Sequence, residues 1–73
     1  MDLTSIIHMQ PGKRGGQPCF IGTRISVNDV LDYLASGMTN DEIIVDFPEL
    51  TAAHIRAAIE FAALPDRHLA TPA

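Results

Sequence analysis

Two groups of side chains in this sequence could contact nucleic acid. Lys13 and Arg14 adjoin in a glycine-rich segment, and Thr51, His54 and Arg56 lie close together further along the chain. Lysine and arginine bind phosphates as cations, and an arginine can donate two hydrogen bonds to a guanine edge. The residue types predict base contacts by the second group, with Arg56 the bidentate donor, and phosphate contacts by the first.

Metal binding and catalysis both require several reactive side chains close together. The sequence shows neither the spacing of a metal site nor the grouping of a catalytic site. Cys19, His8, His54 and His68 are of metal-ligating types, but they lack the short pairwise spacing of zinc sites. Cys19 lies in an apolar stretch, where a small buried hydrophobic residue is the simpler interpretation. No nucleophile, base and orienting group fall together. We therefore predict no metal, no cofactor and no enzymatic activity.

Charge is distributed unevenly along the chain. The formal net charge is −4 at pH 7, and residues 26–50 contain six acidic residues and neither lysine nor arginine. Domains that bind nucleic acid usually present a basic stripe. DNA binding would therefore need a second copy of the chain, or a partner, to supply positive charge.

Local signals predict the elements that would position these groups. A β-hairpin is predicted from strands at residues 5–9 and 19–21, joined by residues 10–16, which form either a turn connector or a basic wing that contacts phosphate. Helix one is predicted over residues 27–36, after Ser26 and Asp29 as a capping box and before a stop at Gly37. Helix two begins at Thr39, with Glu42 closing a second box, and ends before Pro48.

Helix three is predicted from its cap at Thr51 to about Ala63, and its spacing from helix two is that of a helix-turn-helix. A helical projection separates two apolar faces. The first is expected in the core and the second, with Phe61 and Leu64 as its large residues, is expected to pack against another chain or to be ordinary surface. The first face holds Ile55, Ala58, Ile59 and Ala62, and the second holds Ala53, Ala57, Phe61 and Leu64. The interface residues predicted from the second face are Ala57, Phe61 and Leu64.

The run Gly22-Thr23-Arg24 marks the change from strand to helix. Gly22 is expected at positive φ, which most side chains disfavour. Arg24 precedes a helix N-terminus, where the helix dipole disfavours a cation. This unfavourable interaction is expected to be offset by an ion pair of Arg24 with Asp29, Asp46 or Glu49, or by a contact with phosphate or with a partner.

The sequence resembles domain-of-unknown-function family 433. The resemblance covers roughly residues 6–63 and is carried by residues 16–27, which include Cys19-Phe20-Ile21-Gly22-Thr23-Arg24, and by Leu34-Ala35-Ser36-Gly37-Met38-Thr39 and Phe47-Pro48-Glu49-Leu50-Thr51. An aromatic residue, Phe20, stands where a short aliphatic run is typical. The resemblance implies a small helix-turn-helix protein, and many family members are described as VapB-like antitoxins paired with a PIN-type ribonuclease toxin.

We therefore predict a mainly α, winged-helix-like domain of three helices over residues 1–65, with a short N-terminal hairpin and a disordered tail at 66–73. The predicted function is that of a cytoplasmic type II antitoxin that neutralises a PIN-like ribonuclease and represses its own operator. The alternative is a protein-interaction module that does not bind DNA. At 73 residues the core is small, which favours a homo-oligomer. The chain contains no apolar stretch long enough to predict a membrane span.

Overall fold

The computed structural model describes residues 2–9 and 14–65. In these ranges the elements are a 3-10 turn at Leu3–Ser5, strand β1 at Ile7–Met9, a 3-10 turn at Arg14–Gly16, strand β2 at Pro18–Phe20, and helices α1 at Val27–Ala35, α2 at Asn40–Asp46 and α3 at Ala52–Ala62. The mainly helical fold with an N-terminal hairpin is confirmed. Within the described ranges, none of the helices has the length and hydropathy to cross a bilayer. The predicted tail lies outside these residues.

The hairpin is antiparallel, with Ile7 opposite Phe20, His8 opposite Cys19 and Met9 opposite Pro18. The prediction that the first strand starts at residue 5 is wrong. Asp2 caps a 3-10 turn there by accepting a hydrogen bond at 3.0 Å from the Thr4 N–H. The cap gives the backbone a local alternative to the strand, so pairing begins two residues later.

The turn between β2 and α1 is built by Gly22 and Thr23. Gly22 has φ 83°, which confirms the predicted left-handed conformation. The Thr23 hydroxyl donates to the Phe20 carbonyl and accepts from the Ile25 N–H, both at 3.0 Å. The Phe20 N–H also donates to the Ile25 carbonyl at 3.0 Å. These bonds close the turn, and Ser26, the N-cap of α1, follows directly after it.

Capping boxes begin both α1 and α2, as predicted. At α1, the Ser26 hydroxyl accepts from the Asp29 N–H at 3.0 Å, and the Asp29 carboxylate accepts from the Ser26 N–H at 3.2 Å. Thr39 and Glu42 make the same reciprocal bonds at α2. Gly37, at φ 95°, follows the end of α1. The starts of α1 and α2 are therefore specified by hydrogen bonds within the first turn of each helix.

A single hydrophobic cluster joins the hairpin to the three helices. Helix α1 packs against β2, α2 and α3. Its buried members come from both strands, the three helices and two of the loops, and Phe20 of β2 is the largest fully enclosed side chain among the described residues. They are Ile7, Phe20, Ile25, Val27, Val30, Ile43, Leu50, Ile55, Ala57, Ala58 and Phe61.

The division of α3 into a core face and a partner face is wrong. Ile55 and Ala58 are buried as predicted, but Ala57 and Phe61 are also buried, at 0% and 3% exposure, whereas Ile59 is 47% exposed. Leu64 is partly buried and packs against the same core. In the helical projection the two predicted faces meet near Ala58. One wide apolar face, made of residues from both, can therefore fill the core. Phe61 occupies it because its larger side chain removes more apolar area from water than Ile59 would.

Candidate functional site

His54, expected to contact bases, has a structural role at the start of α3. Its Nδ1 accepts a hydrogen bond at 3.0 Å from the Thr51 N–H, and the Thr51 hydroxyl lies 3.0 Å from the same nitrogen. Its ring meets the ring of Phe20 edge to face, with centroids 5.2 Å apart. The imidazole thus caps α3 and covers the core, and its Nδ1 is already engaged with Thr51.

The remaining predicted DNA-binding residues do not form one cationic surface in the part of the chain that is described. Thr51, the N-cap of α3, and Arg56, on the helix, are both exposed. Arg56 Nε donates to Glu60 Oε2 at 3.1 Å, so an acid four residues away balances its charge. Lys13 lies outside the described residues, as does the Arg14 side chain, whereas the Arg14 backbone starts a 3-10 turn.

Arg24 lies exposed beyond the Gly22-Thr23 turn. The predicted ion pair is wrong: across residues 2–9 and 14–65, Arg24 lies within bonding distance of none of Asp29, Asp46 and Glu49. A guanidinium at the surface is solvated by water, which removes the need for a carboxylate to offset the helix dipole. A contact with phosphate or with a partner stays a prediction.

The four residues considered as a metal set are brought together only in part. His8 and Cys19 are cross-strand neighbours, which the sequence spacing did not indicate. Cys19 is buried, and the His54 ring lies against Phe20 instead. Among the described residues, no three His, Cys, Asp or Glu side chains are grouped as metal ligands would be. His68 lies outside the described ranges.

The strongest electrostatic feature is the acidic segment, residues 26–50. Two of its six acids serve capping boxes: Asp29 and Glu42. The carboxylate of Glu42 accepts the Thr39 N–H at 2.8 Å, and this backbone bond lowers the pKa of Glu42 below its usual range. The other four, Asp32, Asp41, Asp46 and Glu49, are exposed. Within the described residues none of these four forms an ion pair.

A groove lies within the acidic segment, where α1 meets the end of α2. It has a volume of about 260 Å³ and is lined by Asp29, Asp32, Tyr33 and Phe47. The rings of Tyr33 and Phe47 stack with centroids 5.4 Å apart and planes inclined by 22°. Two carboxylates thus adjoin a pair of half-buried aromatic rings. The sequence indicated a capping role for Asp29 and gave no signal that Asp32, Tyr33 and Phe47 come together.

The family match and the structural match of this chain both lead to the same family. A family model described as protein of unknown function, DUF433, matches residues 7–62. The chain is similar to a crystal structure of a DUF433 member protein from Anabaena variabilis, with 32% sequence identity and a TM-score of 0.78. The similarity covers 89% of this chain but 65% of that one, so this chain spans slightly less than two thirds of its length. No curated protein matches.

Proposed function

The chain belongs to the DUF433 family, and from that premise we propose that it is a cytoplasmic protein-binding domain acting as the antitoxin of a type II pair. Its target is a PIN-like ribonuclease. The observation that carries the proposal is the acidic segment: four exposed carboxylates lie on α1, α2 and the following turn without an ion pair among the described residues.

Charge complementarity between the acidic segment and a ribonuclease supports the proposal. A ribonuclease must attract the phosphates of its substrate, so its substrate surface is expected to be cationic. A group of exposed carboxylates lacking nearby cations destabilises the free domain slightly through repulsion, and a cationic surface relieves that repulsion. The acidic segment would therefore compete with RNA for the same surface of the enzyme. The family resemblance, rather than the charge, supplies the ribonuclease class.

The test uses the full chain and the protein encoded in the adjacent reading frame. Calorimetry measures binding between the two, and cleavage of a fluorescent RNA measures inhibition. We expect a complex whose affinity falls as salt concentration rises, and inhibition at stoichiometric amounts. If the neighbouring protein binds without inhibition, or does not bind at low salt, the antitoxin proposal fails.

Operator binding is a separate component of the proposal. It is supported by the succession of α2, a turn and α3, with Thr51 and Arg56 exposed near the beginning of α3. The charge of Arg56 is balanced by its ion pair with Glu60. A second copy of the chain or the bound ribonuclease therefore has to contribute the cations that bind phosphate. Fluorescence anisotropy with upstream promoter DNA, with and without the neighbouring protein, measures this. Binding in neither case favours the alternative, an interaction module that does not bind DNA.

A further inference from the structure

We propose that the groove between α1 and α2 receives an arginine side chain of a partner protein. The groove is lined by Asp29, Asp32, Tyr33 and Phe47. The proposal rests on the protein-binding function above and names the chemical group that the acidic segment recognises. The occupant is inferred from the groove's charge and its aromatic lining.

Aromatic faces and carboxylates together favour a cation. The negative face of an aromatic ring attracts a cation placed over it. Tyr33 and Phe47 are half-buried and stack on each other, so their rings are held in place while part of their surface lines the groove. Asp32 is exposed at the same groove and has no ion pair among the described residues. A cation here would contact a ring and a carboxylate together.

A guanidinium fits this arrangement better than an ammonium. It is planar, so it can lie parallel to a ring while its edge donates hydrogen bonds to a carboxylate. It is also more weakly hydrated than an ammonium, so it loses less on entering a partly apolar groove. The carboxylate of Asp29 already accepts the Ser26 N–H, so Asp32 is the principal acceptor for the guanidinium.

The groove is tested on its own by an NMR titration of the full chain. The probe is N-acetyl-arginine methylamide, and the N-acetyl-citrulline analogue is the neutral control of matched shape. We expect arginine-specific shifts at the backbone amides of Asp32, Tyr33 and Phe47. A third titration uses N-acetyl-lysine methylamide. The proposal is overturned by equal shifts with the citrulline compound, by an affinity for the lysine compound as high as for the arginine compound, or by shifts spread over all acidic residues.

Variants separate the groove from the net charge. Asp32→Asn and Phe47→Leu should each weaken arginine binding at least fivefold. Glu60→Gln removes one negative charge on α3, away from the groove, and should change the affinity less than twofold. The acid at position 32 is exposed, so its variant tests the groove without risk to the core. Unchanged binding by Asp32→Asn would contradict the proposal.

Different results would refute the arginine-binding groove and the antitoxin function. Arginine-specific binding without binding of the neighbouring ribonuclease would leave the groove assigned and refute the antitoxin function. Ribonuclease binding that is unaffected by Asp32→Asn, together with no arginine-specific shifts, would refute the groove and leave the antitoxin function standing.

Discussion

Replacing Phe61 with alanine should destabilise the folded chain itself, and not an interface between chains. The ring is 3% exposed, and truncating a buried phenylalanine costs about 3–5 kcal/mol. A domain of 73 residues has a free energy of unfolding of roughly 4–11 kcal/mol. The substitution should thus remove roughly a quarter or more of the free energy of unfolding. Ile59→Ala, on the same helix at 47% exposure, is the matched control and should cost about 1 kcal/mol.

Urea unfolding followed by circular dichroism at two protein concentrations distinguishes a core role from an interface role. For a core residue, the loss of stability is the same at both concentrations, because unfolding of a monomer does not depend on concentration. If Phe61→Ala does not fold, Phe61→Leu should still fold and cost about 1.5 kcal/mol or less. A wild-type midpoint that falls on dilution, with variants that lose this dependence, would refute the core assignment. So would equal costs for the two alanine variants.

Backbone conformation at Gly22 and the helix caps at His54 and Glu42 each contribute measurably to stability. Gly22→Val should cost about 1–3 kcal/mol, because a β-branched residue is strained at φ 83°, and Gly22→Asn should cost clearly less; equal thermal midpoints would contradict this. His54→Ala should lower stability by about 0.5–2 kcal/mol through loss of the Thr51 cap bond, and His54→Gln should restore part of it; unchanged urea midpoints would contradict the capping role. The lowered pKa of Glu42 contributes stability that is present above the ordinary glutamate pKa of 4.5 and is lost as pH falls through the lower pKa of the folded chain. Glu42→Gln should flatten that part of the stability profile in acid urea titrations, and an unchanged profile would contradict it.

The helix starts were predictable because their signals are local. Ser26 with Asp29, and Thr39 with Glu42, satisfy backbone groups within a single turn, so the residue types alone indicate the boundaries. Gly22 is similar, since the change from strand to helix within a few residues requires an unusual turn. These predictions needed no knowledge of which elements pack together.

The faces of α3 and the groove could not be predicted in that way. Two apolar stripes that meet near Ala58 permit several orientations, and the choice depends on how α3 packs against α1 and α2. The groove combines side chains of α1 with Phe47, which follows α2, so its shape depends on how the two helices pack together. His54 was assigned to DNA by its position, but the nearby Phe20 ring and Thr51 N–H give it a structural role.

The most direct test of the proposed function compares two charge-neutralising variants in binding to the adjacent ribonuclease. Asp46→Asn with Glu49→Gln removes two exposed carboxylates of the acidic segment, and Glu60→Gln removes an acid on α3 that is paired with Arg56. Calorimetry at fixed salt should show about tenfold weaker binding for the first, equivalent to 1.4 kcal/mol, and a shallower salt dependence. Glu60→Gln should bind within twofold of wild type. Equal affinities for wild type and the double variant would contradict the claim that the acidic segment binds the enzyme.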